Sequence, residues 1–334
     1  MDISKYAAGV DGIESLSQYQ IANFFVQNSP VTKDECHSMA KSIAGEPVLP
    51  TPVQGETSYT VTAQLITVKV VQFRKSKLDL GMLDRAQQTY HKFVPGCEQR
   101  GKLGHLYVYE MDFVPGVALS RFQHQLLAPQ MKQQLLRTVQ DLARFFASAW
   151  VNKSLSHQTS NHRQKLFAHY SSILDQLSQS LPERFQQKLR EVHATLPLLF
   201  RPQYIMTINH DDLFEMNIHV IEKTGQITGI VDWADAKIAP FGTSLWGLET
   251  LLGVRAGASW VFHSDHLYLR EQFWETFHGA IGDISDEDRR AIETGRLFGL
   301  FRIYGFNSAP EKEGAEPLKD GDDGLMYLDA LCLH

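Results

Sequence analysis

Read for the spacing of its apolar and polar positions, the chain changes character about a third of the way along. Ile21, Phe24 and Phe25 share one helical face and Met39, Ala40 and Ile43 another, so helix is expected over residues 13–44. The run GEPVLPTPVQG breaks that spacing with prolines and glycines and reads as a loop. Residues 57–62 and 65–73 are rich in β-branched and aromatic residues, as the two strands of a hairpin require. Leu83, Ala86, Tyr90 and Phe93 restore helical spacing over 80–93, and LYVYEMDFV at 106–114 is a further strand ending at Pro115-Gly116. Helices then dominate. Leu135, Val139, Leu142, Phe146 and Trp150 form one apolar stripe over 131–150, and further helices are expected over 165–179, 182–195, 244–252, 267–280 and 287–304. Inside that region lies YIMTINHDDLFEMNIHVIEKTGQITGIVDW, a strand–loop–strand segment with a TGQ turn between two apolar runs. Residues 308–324, polar and rich in glycine and proline, read as a surface loop.

Length sharpens this into two lobes. With 334 residues, 43% of them hydrophobic, the chain approaches the size at which one core stops growing. We expect an N-terminal lobe over 1–113, with a helical extension over about 1–45, and a C-terminal lobe over 114–334. A net charge of −6, with no long run of Lys and Arg, argues against a nucleic-acid partner. Cys36, Cys97 and Cys332 lie too far apart for a disulfide framework or a thiolate zinc site, which fits a reducing compartment. The start, MDISKYAAGVDGIESLSQYQ, lacks a basic segment followed by an apolar one, and no stretch of about 18 uncharged apolar residues occurs. A soluble cytoplasmic protein with no membrane partner is expected, as monomer or homodimer.

Candidate chemistry concentrates in HDDLFEMN and IVDW. Phosphoryl transfer needs an oriented hydroxyl and cations that neutralise charge developing on phosphate oxygens. Asp212 lies five residues before Asn217, so a loop can aim its carboxylate at a substrate hydroxyl while the Asn217 amide oxygen reaches a metal. Asp232 follows fifteen residues later at the end of ITGIVDW, and a hard oxygen pair of this kind suits Mg²⁺ bridging two phosphates. The loop QGETSYT offers Gly55, backbone N–H groups and the hydroxyls of Thr57, Ser58 and Thr60 as phosphate contacts, with an ordinary hairpin turn as the bland alternative.

HDDLFEMN together with IVDWADA resembles the aminoglycoside phosphotransferase and choline kinase group, in particular its uncharacterised fungal members. The resemblance extends to VVQFR, to FVPG, to LPERF…LPLLF and to PFGTSLWGLE, and so spans residues 50–305 or thereabouts. It implies an α+β, bilobal, protein-kinase-like fold, with a small antiparallel sheet lobe that binds ATP and a larger, mainly helical lobe for catalysis and acceptor binding. It implies Asp212 as catalytic carboxylate, Asn217 and Asp232 as metal ligands, and His210 as the residue bracing the loop. Arg74 stands where the family places a phosphate-contacting Lys or Arg; Asp84 on the next helix is a candidate to orient it, and a plain surface ion pair is the alternative for both. The backbone of Glu110–Asp112 is implied as the adenine contact. Two positions depart from the family pattern: Asp211 replaces a glycine, and Phe214 a small or polar residue. Asp211 either raises the pKa of Asp212 by like-charge repulsion or points into solvent.

The function expected is ATP- and Mg²⁺-dependent phosphorylation of a hydroxyl on a small, amino- or hydroxyl-bearing metabolite. Trp246, Glu249, Trp260 and Trp274 fall in the lobe where this group binds its acceptor, with core packing the simpler reading of each tryptophan; Asp235 either supports the metal site or helps hold a cationic substrate, against a simpler capping or solvated role. The contrasting expectation is a degenerate or repurposed kinase fold that binds a nucleotide or metabolite without phosphoryl transfer. His263 and His266 lack a third ligand at zinc-site spacing, and no Gly-x-Ser-x-Gly, GxGxxG or GxxxxGK[ST] occurs.

Overall fold

The structure, a computed structural model, describes residues 10–64, 66–152 and 160–333. The start of the chain, on which the missing leader pattern was read, and Leu65, the expected first residue of a strand, lie outside the described residues. In chain order the elements are α1 Val10–Gln27, α2 Lys33–Ala44, β1 Leu49–Pro50, β2 Ser58–Gln64, β3 Val68–Arg74, α3 Leu80–Tyr90, β4 Cys97–Leu103, β5 Leu106–Asp112, β6 Val117–Ala118 and α4 Leu119–Leu126. There follow α5 Lys132–Val151, α6 Ser160–Ser180, α7 Glu183–Thr195, β7 Met206–Asn209, β8 Ile218–Ile221, β9 Gln226–Ile230 and β10 Lys237–Pro240. The last are α8 Glu249–Leu252, β11 Gly253–Ala256, β12 Ser259–Phe262, α9 His266–Ile281, α10 Asp286–Tyr304 and α11 Leu325–Cys332.

The chain forms two compact units. One contains residues 8–126 and 215–234, the other 127–214 and the chain from 235 onward. In the first, β1, β2, β3, β5 and β4 lie in that order in an antiparallel sheet. Alternation along β2 and β3 buries Tyr59, Val61, Val71 and Phe73 against Phe24 of α1 and Cys36 and Ala40 of α2. The helical stretch expected over 13–44 is two helices. Thr32 caps the second: its hydroxyl accepts from the Glu35 N–H, and the Glu35 carboxylate accepts from the Thr32 N–H. Strand β4 escaped the sequence reading because it lies at the sheet edge, where CEQRGKL exposes its five central residues and so lacks an alternating pattern. The same unit holds the β8–β9 hairpin, with Gly225 of the expected TGQ turn at φ 70°, where a side chain is disfavoured.

The other unit is mainly helical. The α5 stripe is buried as its spacing required, and Phe146 and Trp150 meet Phe273 and Phe277 of α9 with ring centroids 6.1 and 6.4 Å apart. Strand β7 pairs with β10, register Asn209 to Lys237, and this short ladder presents the segment that follows it.

Candidate active site

Within the helical unit, the end of β7 holds the loop bearing Asp212. The buried Asn209 amide donates to the carbonyls of Thr207 (3.2 Å) and Ala239 (3.1 Å), and its oxygen accepts from the hydroxyls of Thr243 (3.2 Å) and Ser244 (3.1 Å). Ser244 also donates to the His210 carbonyl at 3.0 Å. His210 is buried, and its Nδ1 accepts the Asp212 backbone N–H at 3.3 Å, which requires the tautomer unprotonated at Nδ1. The Phe214 N–H donates to the Asp212 carbonyl at 2.9 Å, tightening the turn behind the carboxylate. Leu213 is fully buried and packs so closely on Gly247 that a Cβ there would lie 2.7 Å from Leu213 Cδ2 and 3.1 Å from its carbonyl oxygen. Phe214, the second departure from the family pattern, packs on Trp246 with centroids 4.8 Å apart.

Asp211 neither faces solvent nor crowds Asp212 without compensation. Arg302 of α10 donates to both its oxygens, Nη1 to Oδ1 at 2.9 Å and Nη2 to Oδ2 at 2.7 Å, and Lys237 Nζ lies 2.8 Å from Oδ2. The same guanidinium holds Glu311, with Nη2 2.7 Å from Oε2 and Nε 3.1 Å from Oε1. Burial alone would lower the Arg302 pKa, yet Asp211 and Glu311 raise it above the ordinary arginine range. Burial alone would raise Glu311, yet hydrogen bonds from His169 and Arg302 hold it well below the carboxylate range.

In the sheet unit, the β8–β9 hairpin brings two further candidates to one end. Ile218 pairs with Ile230, and the Val231 N–H donates to the Asn217 carbonyl at 2.9 Å, so Asn217 and Asp232 sit just beyond the last ladder pair. Asp232 adopts φ 58°, a left-handed conformation that costs a side-chain-bearing residue about 1 kcal/mol or more and clusters at functional sites. Its Oδ1 lies 3.4 Å from Nη1 of Arg74. Arg74 ends β3 opposite Ser58, the first residue of β2, which sets it beneath the loop joining β1 to β2. Nη2 donates to the Thr57 hydroxyl at 3.2 Å and Nη1 to Gln72 Oε1 at 3.2 Å, while the Gln72 amide donates to Ser58 and Thr60. Arg74 is 4% exposed, and its buried Nε has no hydrogen-bond partner. No ion pair joins Arg74 to Asp84 among the described residues; the carboxylate that faces it is Asp232. Gly55 lies in the same loop, where a Cβ would meet only Ser58 Oγ at 3.9 Å.

Three expectations need correction. The backbone of Glu110–Asp112 sits inside the sheet, paired with β3 on one side and β4 on the other, and the Asp112 N–H already donates to Gly96 at 3.0 Å. Its side chains are engaged as well, Glu110 by Arg100 at 2.8 Å and Asp112 by Lys69 at 2.7 Å. Backbone outside the ladder begins at Phe113. Trp246 is fully buried against Phe214 and Tyr304, and Glu249 is 1% exposed with one oxygen 2.6 Å from Arg270 and the other 3.3 Å from Arg296. Both are core residues rather than acceptor contacts, because neither ring nor carboxylate reaches a surface. Asp235 is exposed at the end of the short helical turn Trp233–Asp235.

The donor sets fit some ligands and not others. No group of three or more His, Cys, Asp or Glu side chains suited to a metal exists among the described residues. One amide and one carboxylate fit a hard cation that keeps phosphate oxygens and water in its sphere. A buried guanidinium with an unused N–H fits a phosphate group.

An antiparallel sheet unit and a mainly helical unit are the parts of a protein-kinase-like fold. The chain belongs to the phosphotransferase enzyme family, which matches residues 86–275, and is the kinase-type enzyme expected from its sequence. Among solved structures it is similar to an ethanolamine kinase of Plasmodium vivax, with 11% identity, 95% of each chain covered and a TM-score of 0.50. It is also similar to an aminoglycoside-3'-phosphotransferase of type VIII (17% identity, 79% of this chain and 98% of the other, TM-score 0.46). A choline kinase from Cryptosporidium parvum Iowa II matches at 13% identity over 76% of this chain and 80% of its own, TM-score 0.45. No curated protein sequence matches the chain. Among the described residues no helix is long and apolar enough to cross a membrane.

Proposed function

We propose that the protein transfers the γ-phosphoryl group of ATP, with Mg²⁺, to a hydroxyl of a small amino-bearing metabolite. Arg74 carries this reading: a buried guanidinium at the β3 end, held by Thr57 and Asp232, keeps its Nε–H unspent beneath a loop of hydroxyls and backbone amides. Bound Mg²⁺ would supply charge neutralisation on the phosphates, with Asn217 and Asp232 as its protein ligands. Asp212 orients the acceptor hydroxyl and takes its proton as the new phosphorus–oxygen bond forms and the bond to the β–γ bridging oxygen breaks, releasing ADP. His210 fixes the Asp212 backbone by accepting its N–H.

The acceptor site is a cavity of about 700 Å³ in the helical unit. Phe214, two residues after Asp212, lines it together with Tyr304 and Tyr327, whose rings stack at 4.6 Å. Glu316, Asp322 and Asp323 line it against the single base Lys319. Aromatic faces beside an excess of carboxylates favour a cationic amine. Asp211 beside Asp212 is not a spare charge, since Arg302 and Lys237 both pair with it.

Calorimetry of Mg·ATP, followed by turnover with a panel of amino alcohols and amino sugars, tests the reading. Binding is expected to require Mg²⁺ and to weaken in Asp232→Ala. Asp212→Asn is expected to lower kcat by about 10²–10⁴-fold with Mg·ATP affinity held within about twofold. Mg·ATP binding equal in Asp232→Ala and wild type refutes the metal assignment.

A further inference from the structure

Arg302 joins two segments distant in sequence. On one side its guanidinium grips both oxygens of Asp211, the residue between His210 and Asp212. On the other it grips Glu311, in the segment 308–324. Both segments contribute to the same cavity. Phe214, three residues beyond Asp211, lines one side of it, and Glu316, Leu318 and Asp322, which follow Glu311, line another. Lys237 of β10 reaches both carboxylates, 2.8 Å from Asp211 and 3.5 Å from Glu311, so the cluster is cross-braced.

Nothing about stability requires this arrangement. An arginine and a carboxylate largely withdrawn from water, joined by a second carboxylate that keeps part of its exposure, pay a desolvation penalty that well-packed apolar residues would avoid. What the cluster adds is geometry. A planar guanidinium bidentate to one carboxylate and shared with a second fixes the distance and angle between them, which a lysine cannot do. Rate is sensitive to sub-ångström placement of a catalytic group relative to its acceptor.

We infer that Arg302 is a positioning residue that clasps the Asp212-bearing loop to the 308–324 segment, so that acceptor binding at the segment and orientation of Asp212 are one coupled event. It rests on the reading of Asp212 given above. Asp211 is the loop's handle for this clasp, which accounts for an aspartate at a position where the resembled family has glycine. Arg302 acts through Asp211 and Glu311 and touches no reacting atom.

The test is native-state hydrogen exchange on the full-length protein, read in peptides covering 206–216 and 306–320, with 58–74 of the sheet unit as internal control. Glu311→Gln is expected to speed exchange about tenfold in 206–216, a segment almost a hundred residues away, and Asp211→Asn to do the same in 306–320. Arg302→Met is expected to free both segments, Arg302→Lys to restore part of the protection, and 58–74 to hold its rate in every variant. Turnover of Mg·ATP with ethanolamine as probe acceptor is expected to fall in the same order. Freed exchange only in the segment carrying each substitution, or an equal rise throughout the chain including 58–74, overturns the clasp. Should Asp212→Asn keep full turnover, the catalytic reading fails instead, and reciprocal exchange still decides whether the two segments are coupled.

Discussion

Arg74 and Arg302 are buried to the same degree, 4% exposed each, yet they are built for different ends. Arg302 spends its guanidinium on two carboxylates at 2.7 to 3.1 Å, and Nε, Nη1 and Nη2 all donate. Arg74 has neutral partners at 3.2 Å, one carboxylate at 3.4 Å, and an Nε with no partner at all. A saturated buried arginine holds protein to protein, whereas an unsaturated one is poised for an anion that arrives from outside. On the proposed reading of Arg74, the difference separates a structural cation from one held ready for phosphate, two roles that look alike in sequence.

The sharpest way to break that comparison is to replace each arginine with methionine. Arg302→Met is expected to lower unfolding stability in urea by about 2–3 kcal/mol, less than the full cost of orphaning a buried charge because Glu311 is partly exposed and Lys237 still faces Asp211. Arg74→Met is expected to cost less than about 1 kcal/mol of stability yet to weaken Mg·ATP binding about tenfold by calorimetry. The reverse pattern would invert the two roles. Gly247→Ala probes the apolar support of the same loop: with Leu213 2.7 Å from the new Cβ, a loss of about 1–2 kcal/mol in thermal or urea unfolding is expected, together with lower kcat. The smallest effect is on acid stability. The Glu311 carboxyl is held low in the folded state, so its contribution is complete above the unfolded value of about 4.3 and is lost as pH falls below it. Wild type and Glu311→Gln should differ in urea midpoint at pH 7, and the difference should shrink progressively as pH falls from about 4 toward the depressed folded value.

Local pattern made much of this legible. The β2–β3 and β8–β9 hairpins, the α5 stripe and the polar 308–324 segment follow from apolar spacing and turn chemistry, and HDDLFEMN marked the loop that β7 and Asn209 hold in place. What escaped depends on partners distant in the chain. Arg302 lies 91 residues from Asp211, and no periodicity connects a residue of α10 with the loop after β7. Gly247 read as part of a resembled motif, and only its contact with Leu213 shows what the missing side chain permits. Trp246 and Glu249 were read for their chemistry, an aromatic and a carboxylate, but burial decided their use. The backbone of Glu110–Asp112 does not suit the adenine contact the resemblance implies, since a strand with neighbours on both sides has little backbone to spare.

Asp232 carries a last consequence. At φ 58° glycine would fit its backbone with less conflict than aspartate, so the chain tolerates local discomfort to keep a carboxylate beside Arg74. On the proposed reading of Asp232 as a metal ligand, a mutant library enriched only for survival on heating would tend to discard this side chain early, and the hardiest clones would be among the least useful as enzymes.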